Sequence, residues 1–283
     1  MDINVLGALA ISEHGVSVTP TAPKPRQVLA LLALHADRVV PLSALTEELW
    51  ATTPPRSART TLQTYVLQLR ELIARALRQG PSGVPAGPGG RCSAKDVLVT
   101  TPGGYLLAGG QGRHDVKEFE QLAGTGYRAM DAGDFSGAAR RLREALALWS
   151  GDALADVPAG SQLTVEIRRL NESRLCALDQ RIEADLRLGR HRELLAELTV
   201  LVNRHRTHEN LHAQFMLALH RSGRRGEALE VYQKLRATLV RELGLEPSVV
   251  LRRLQHSILL ASPESTAPAP AAGPAPERLV PAV

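Results

Sequence analysis

Aromatic residues are scarce in this chain: 3% of its 283 residues, against an apolar share of 44%. A core of ordinary size must therefore be assembled from Leu, Ala and Val, which favours packed helices. Cysteine is scarcer still. Cys92 and Cys176 stand far apart with no CxxC, so neither a disulfide framework nor a zinc site is indicated. There is no GxxxxGK[ST] phosphate loop, no GxSxG and no HExxH, which removes the common nucleotide, hydrolase and metalloprotease signatures. Asp131, Asp134, Asp152 and Asp156 lie around helix turns, where carboxylates cap helices more readily than they form a catalytic pair. His208 and His212 could share a helix face and hold a metal, but no third ligand stands at a suitable spacing. No enzyme, cofactor or metal is expected. The N-terminus has no basic residue before Lys24 and no long apolar run, so neither a signal peptide nor a membrane span is expected, and the cytoplasm is the expected compartment.

What is present begins with charge. The net balance is +5 and the pI about 9.6, which suits an anionic partner without demanding one. Between Pro54 and Arg78 there are five arginines (Arg56, Arg59, Arg70, Arg75 and Arg78) and one acid, Glu71. Pro54-Pro55-Arg56 forbids helix upstream, Ser57 is a natural N-cap, and Ala58 to Leu77 contain no Gly or Pro. Leu62, Val66, Leu69, Ile73 and Ala76 recur at helical steps on one side. Thr60, Gln63, Thr64, Gln68, Glu71 and Arg75 fall on the other, with Arg59 and Arg70 on its flank. Amides and hydroxyls can address base edges in a major groove, and arginines can hold phosphates or guanine. A solvated amphipathic helix with a basic face would read similarly, so the context decides.

Upstream, Ile3, Val5, Leu9 and Ile11, then Val16 and Val18, alternate about Ser12 to Gly15 as a small antiparallel sheet. Thr21 to Pro25 ends it, and a helix is expected from about Arg26 to His35. Val39-Val40-Pro41 reads as an extended link, and a second helix follows to Trp50. Downstream, Val97 to Leu107 reads as two apolar strands about Pro102-Gly103-Gly104. Three helices followed by a hairpin describe a winged helix-turn-helix whose last helix enters the groove. Residues 80–96 are expected to be a flexible insertion, since Gly80 to Arg91 is almost wholly Gly, Pro, Ser and Ala. Arg91 and Lys95 could add phosphate contacts.

From about His114 the pattern is continuously helical. Gly133, Gly189 and Gly223 sit in similar turns, and the last two are 34 residues apart, the tetratricopeptide period. Irregular sequence from Ser150 to Gly160 and a longer helix after it account for the wider first interval. A final helix is expected on Val250, Leu251, Leu254, Ile258 and Leu259. The Pro/Ala-rich residues 261–283 read as a disordered tail. The expected fold is thus mainly α: a winged helix-turn-helix with small antiparallel sheets over residues 1–112, then an all-α tetratricopeptide-like repeat domain over 113–260.

Together these features resemble the Streptomyces antibiotic regulatory proteins, activators with an OmpR-type winged helix followed by a bacterial transcriptional activation domain. The resemblance covers about residues 2–260. It rests on Lys24-Pro25-Arg26-Gln27-Val28-Leu29-Ala30-Leu31-Leu32, on Glu48-Leu49-Trp50 with Pro54-Pro55, and on Thr61-Leu62-Gln63-Thr64-Tyr65-Val66 with Leu69-Arg70. Thr101-Pro102-Gly103-Gly104-Tyr105 and Arg241-Glu242-Leu243-Gly244-Leu245-Glu246-Pro247-Ser248 complete it. The resemblance implies an activator that binds double-stranded promoter DNA at direct repeats near the −35 region of an antibiotic cluster. Two copies would sit side by side and recruit RNA polymerase holoenzyme through its sigma factor. It implies base contacts from Arg59, Thr60, Gln63, Thr64 and Gln68. It implies phosphate contacts from Lys24, Arg26, Arg56, Arg70 and Arg75, with Thr101 and Tyr105 from the wing. Trp50 reads as a core residue whose indole N–H is a further phosphate candidate. With neither an ATPase segment nor a receiver domain, the chain resembles the small members. The competing reading is a tetratricopeptide-type adaptor whose basic helix is merely solvated.

Overall fold

The computed structural model describes residues 1–79 and 93–260. The expected insertion core, with Arg91 and Cys92, and the expected tail lie outside the described residues. Two compact units divide the chain, Met1–Ala184 and the part from Asp185 onward. The fold is mainly helical, with two small antiparallel sheets near the N-terminus.

In the first unit, β1 (Asp2–Asn4), β2 (Ala10–Glu13) and β3 (Val16–Ser17) form the opening sheet. His14 and Gly15 both take positive φ, 51° and 79°, as a two-residue hairpin turn requires. Helix α1 spans Pro23–Leu34, three residues earlier than the expected start at Arg26. The prolines that read as breakers sit in its first turn, where an amide has no intrahelical partner to lose. Strand β4 (Val39–Pro41), expected only as a link, pairs with the wing hairpin instead. Helix α2 is Leu42–Trp50 and α3 is Ala58–Gln79, 22 residues long.

Ser93 to Asp96, counted with the flexible insertion, are ordered. Ser93 N donates to the Asp96 carboxylate at 2.8 Å and opens the short helix α4 (Ala94–Val97). The wing follows as β5 (Leu98–Thr101) and β6 (Gly104–Leu107), in the sheet order β4-β6-β5. Gly104 has to be glycine, since a Cβ there would lie 2.3 Å from the Val40 carbonyl oxygen of β4.

Helices α5 (Asp115–Asp131), α6 (Phe135–Leu146) and α7 (Ser161–Arg187) follow. The composition changes near residue 112, but the compact unit does not end there. Ile3 N donates to Arg113 O at 2.8 Å, Ser150 N to Leu6 O at 2.9 Å and Leu154 N to Val5 O at 3.0 Å. One hydrophobic core runs from Ile3 through Leu62 and Phe119 to Ala177. The opening sheet thus uses backbone partners that lie more than a hundred residues further on, and a change of composition carries no record of them.

The second unit holds α8 (Leu195–Arg204), α9 (Glu209–Arg221), α10 (Arg225–Leu243) and α11 (Val249–Leu260). The similar turns seen in the sequence share one backbone pattern. The residue after each glycine donates back across the helix end: Asp134 N to Ala129 O (2.9 Å), Arg190 N to Asp185 O (3.0 Å) and Arg224 N to Leu219 O (2.9 Å). Leu251 and Ile258 of α11 are buried, while Val250 and Leu259, expected in the same apolar row, are exposed.

Candidate nucleic-acid interface

Helix α3 divides cleanly by face. Ala58, Leu62, Val66, Leu69, Ile73 and Ala76 are buried and fix its roll against the core. That roll leaves Arg59, Thr60, Gln63, Thr64 and Gln68 all exposed. The five base-contact candidates therefore share one solvent-facing surface. Thr64 Oγ1 donates to Thr60 O at 3.1 Å, so its hydroxyl proton is spent within the helix and its lone pairs remain for an outside donor. Glu71 lies exposed on the same surface, and so does Leu67, 57% exposed, which the sequence pattern passed over.

The phosphate candidates divide into outward and inward groups. Arg56 and Arg75 are exposed and, with Arg59 and Arg78, make no ion pair or side-chain hydrogen bond among the described residues. These four cations flank a face carrying one carboxylate, so its local field favours an anion. Lys24 is exposed, and one of its ammonium protons goes to Leu49 O at the end of α2, which leaves two for an outside acceptor.

Arg26 turns inward instead. Its guanidinium donates to Pro20 O at 3.0 Å, Leu9 O at 3.1 Å and the Asp156 carboxylate, so its side chain ties α1 to the opening sheet and to the segment before α7. Arg70 is also engaged. Its Nε and Nη2 donate to Leu98 O at 3.0 and 2.7 Å, and Nη2 reaches Thr100 Oγ1 at 2.8 Å. It clamps α3 to the first wing strand. On the wing, Tyr105 is buried and Thr101 is half-buried, its Oγ1 enclosed without a hydrogen-bond partner. Trp50 is half-buried against the core. The wing residues that face solvent are Thr100, Pro102 and Gly103.

Behind this face lies a buried polar frame that no sequence pattern marks. Glu48, 3% exposed, receives Gln27 Nε2 at 2.6 Å, Gly160 N at 2.6 Å and Leu163 N at 2.9 Å. It caps the start of α7 from α2, and Glu47 beside it receives Ser161 Oγ and Gln162 Nε2. Gly160 leaves room for this, since a Cβ there would meet Glu48 O at 2.1 Å. Asp115 accepts from Val5 N at 2.6 Å and Leu6 N at 2.8 Å. Burial raises its carboxyl pKa, and those two amides oppose the rise. Burial also lowers the His114 pKa, against a hydrogen bond to Ala33 O at 3.1 Å.

The histidines near residue 208 are local to the second unit. His208 caps α9 by accepting from Leu211 N at 3.3 Å, and His212 Nδ1 lies 3.0 Å from His208 O. Among the described residues, no helix is long and apolar enough to cross a membrane.

Two family models match successive stretches of the chain. A family model for the C-terminal domain of transcriptional regulatory proteins matches residues 17–82, and one for the bacterial transcriptional activator domain matches residues 114–259. Regulatory protein DnrI of Streptomyces peucetius is 56% identical over 263 residues, 93% of each chain. Regulatory protein AfsR of Streptomyces coelicolor is 37% identical over 92% of this chain, which spans 24% of AfsR. The solved structure of Mycobacterium tuberculosis EmbR, in complex with a low affinity phosphopeptide, superposes with a TM-score of 0.79 at 31% identity. That match covers 94% of this chain and 67% of EmbR.

Proposed function

This chain belongs to the Streptomyces antibiotic regulatory protein family of transcriptional activators, and from that premise we propose how it selects its genes. The exposed face of α3 enters the major groove of promoter DNA and reads direct repeats near the −35 region of a secondary-metabolite cluster. Arg59, Thr60, Gln63, Thr64 and Gln68 supply the base contacts. Arg56, Arg75 and Lys24 hold phosphates, joined by Arg78. Arg70, Arg26, Tyr105 and Thr101 shape the surface, because their side chains are committed inward. Two copies bind side by side, and the helical repeats recruit RNA polymerase holoenzyme through its sigma factor. The protein is thus a regulator and not an enzyme.

The observation that carries this reading is the segregation on α3. Its apolar row is wholly buried, and its exposed face combines five candidate base-reading side chains with arginines that are unpaired among the described residues. Gel-shift titration against promoter fragments of the protein's own cluster is the test. Gln63→Ala or Thr64→Ala is expected to relax sequence preference, at about 1–3 kcal/mol for a good base contact. Indifference to sequence in the unmodified protein would contradict the reading. Capture of a protein partner with no enriched DNA fragment would favour the adaptor instead.

A further inference from the structure

Leu67 is the one large apolar side chain that α3 exposes among the described residues, at 57% of its full area. It does not stand at the margin of the buried row. Gln63 and Thr64 lie one turn before it, Glu71 one turn after it and Thr60 two turns before it, and all are exposed. A leucine there contributes nothing to the core, which the opposite side of the helix already fills. It also offers no hydrogen bond to a base edge. Of the groups a B-DNA major groove presents, one is apolar: the C5-methyl of thymine.

We propose that Leu67 is a specificity-determining residue that reads a thymine methyl at the centre of the recognition face. The inference rests on the groove-reading function proposed for α3 and adds to it a contact of different chemistry. Glutamine and threonine recognise hydrogen-bonding edges, and Leu67 distinguishes thymine by desolvating its methyl. The discrimination is modest, because one buried methyl-sized group changes affinity about three- to fivefold. It is specific nonetheless, since cytosine lacks the methyl at that ring position.

Deoxyuridine isolates the contact, because it keeps every hydrogen-bonding edge of thymine and removes only the methyl. The experiment uses the full chain and a duplex carrying the promoter repeat selected by gel shift, with each thymine replaced in turn. Wild-type protein is expected to lose about three- to fivefold in affinity at one or two thymines of each repeat. Leu67→Ala is expected to bind those substituted duplexes as tightly as the thymine duplex while keeping its preference at other positions. Its exposure means the substitution leaves the fold intact, which thermal unfolding of the variant checks. If wild type tolerates every deoxyuridine, or if Leu67→Ala loses as much as wild type at the same thymine, the proposal is overturned while groove reading survives. If wild type shows no sequence preference, both fall together.

Discussion

Arg70 and Arg75 carry the same charge on the same helix, and their surroundings give them different roles. Arg70 spreads its guanidinium over Leu98 O and Thr100 Oγ1, a fork that a lysine ammonium cannot reproduce. Arg70→Lys is therefore expected to lower stability by about 1–2 kcal/mol and to weaken DNA binding through a misplaced wing. Arg75 is exposed and unpaired among the described residues, so Arg75→Ala is expected to leave stability within about 0.5 kcal/mol. It should reduce the slope of log affinity against log salt by about 1. Denaturant unfolding and salt titrations on both variants separate the two roles. If Arg70→Lys keeps its stability and Arg70→Ala loses about one unit of salt slope, Arg70 is a phosphate holder after all.

His114 gives a second test at this scale. Burial holds its folded pKa below the ordinary histidine value of about 6.5, so just below that pH the unfolded chain binds more protons than the folded one. Stability from His114 is thus fully present above about pH 6.5 and is lost as the pH falls toward its depressed folded pKa. His212, also buried with a lowered pKa, adds to the same trend. Asp115 has the opposite shift, and its effect falls in the acid range above 3.8. Unfolding measured from pH 8 to 5 should show stability decreasing, and His114→Gln should flatten the curve. An unchanged slope in that variant would show that His114 is not a source of it.

Among the elements, α3 was the most legible in sequence. Its apolar row has helical spacing, its start is marked by paired prolines, and nothing within it competes with a helix. The parts that were missed depend on distant partners or on local caps. Pro23 and Pro25 read as breakers because their tolerance depends on where the helix begins. Val39–Pro41 is a strand only because β6 passes beside it. Glu48 looked like one member of a motif, and its partners at Gly160 and Leu163 lie over a hundred residues away. Leu67 was invisible to pattern because a single leucine off the apolar row carries no periodic signal.

The repeat turns were legible because glycine marks each of them. Gly223 has φ of 81° with open space around its Cβ position, so the penalty for a side chain there lies in the backbone alone. Gly223→Ala is expected to cost about 1–2 kcal/mol in an unfolding titration. A cost near zero would mean that the turn can relax to another conformation.

At the scale of the whole molecule, the change of composition and the edge of the first compact unit fall at different places in the chain. The shift to helical sequence near residue 113 is real, yet the compact unit extends to Ala184 because the opening sheet shares backbone hydrogen bonds with later segments. Family models meet the chain on either side of that shift, at residues 17–82 and 114–259. The Asp115, Arg26 and Glu48 contacts join the winged helix to α5, to the segment before α7 and to the start of α7.

The most direct measurement is a crystal structure of the protein on a duplex carrying its promoter repeat. The expected result is α3 lying in the major groove with Gln63, Thr64 and Gln68 against base edges and Arg75 against a phosphate. A complex in which that face of α3 meets bulk water, with the duplex held elsewhere on the chain, would contradict the account.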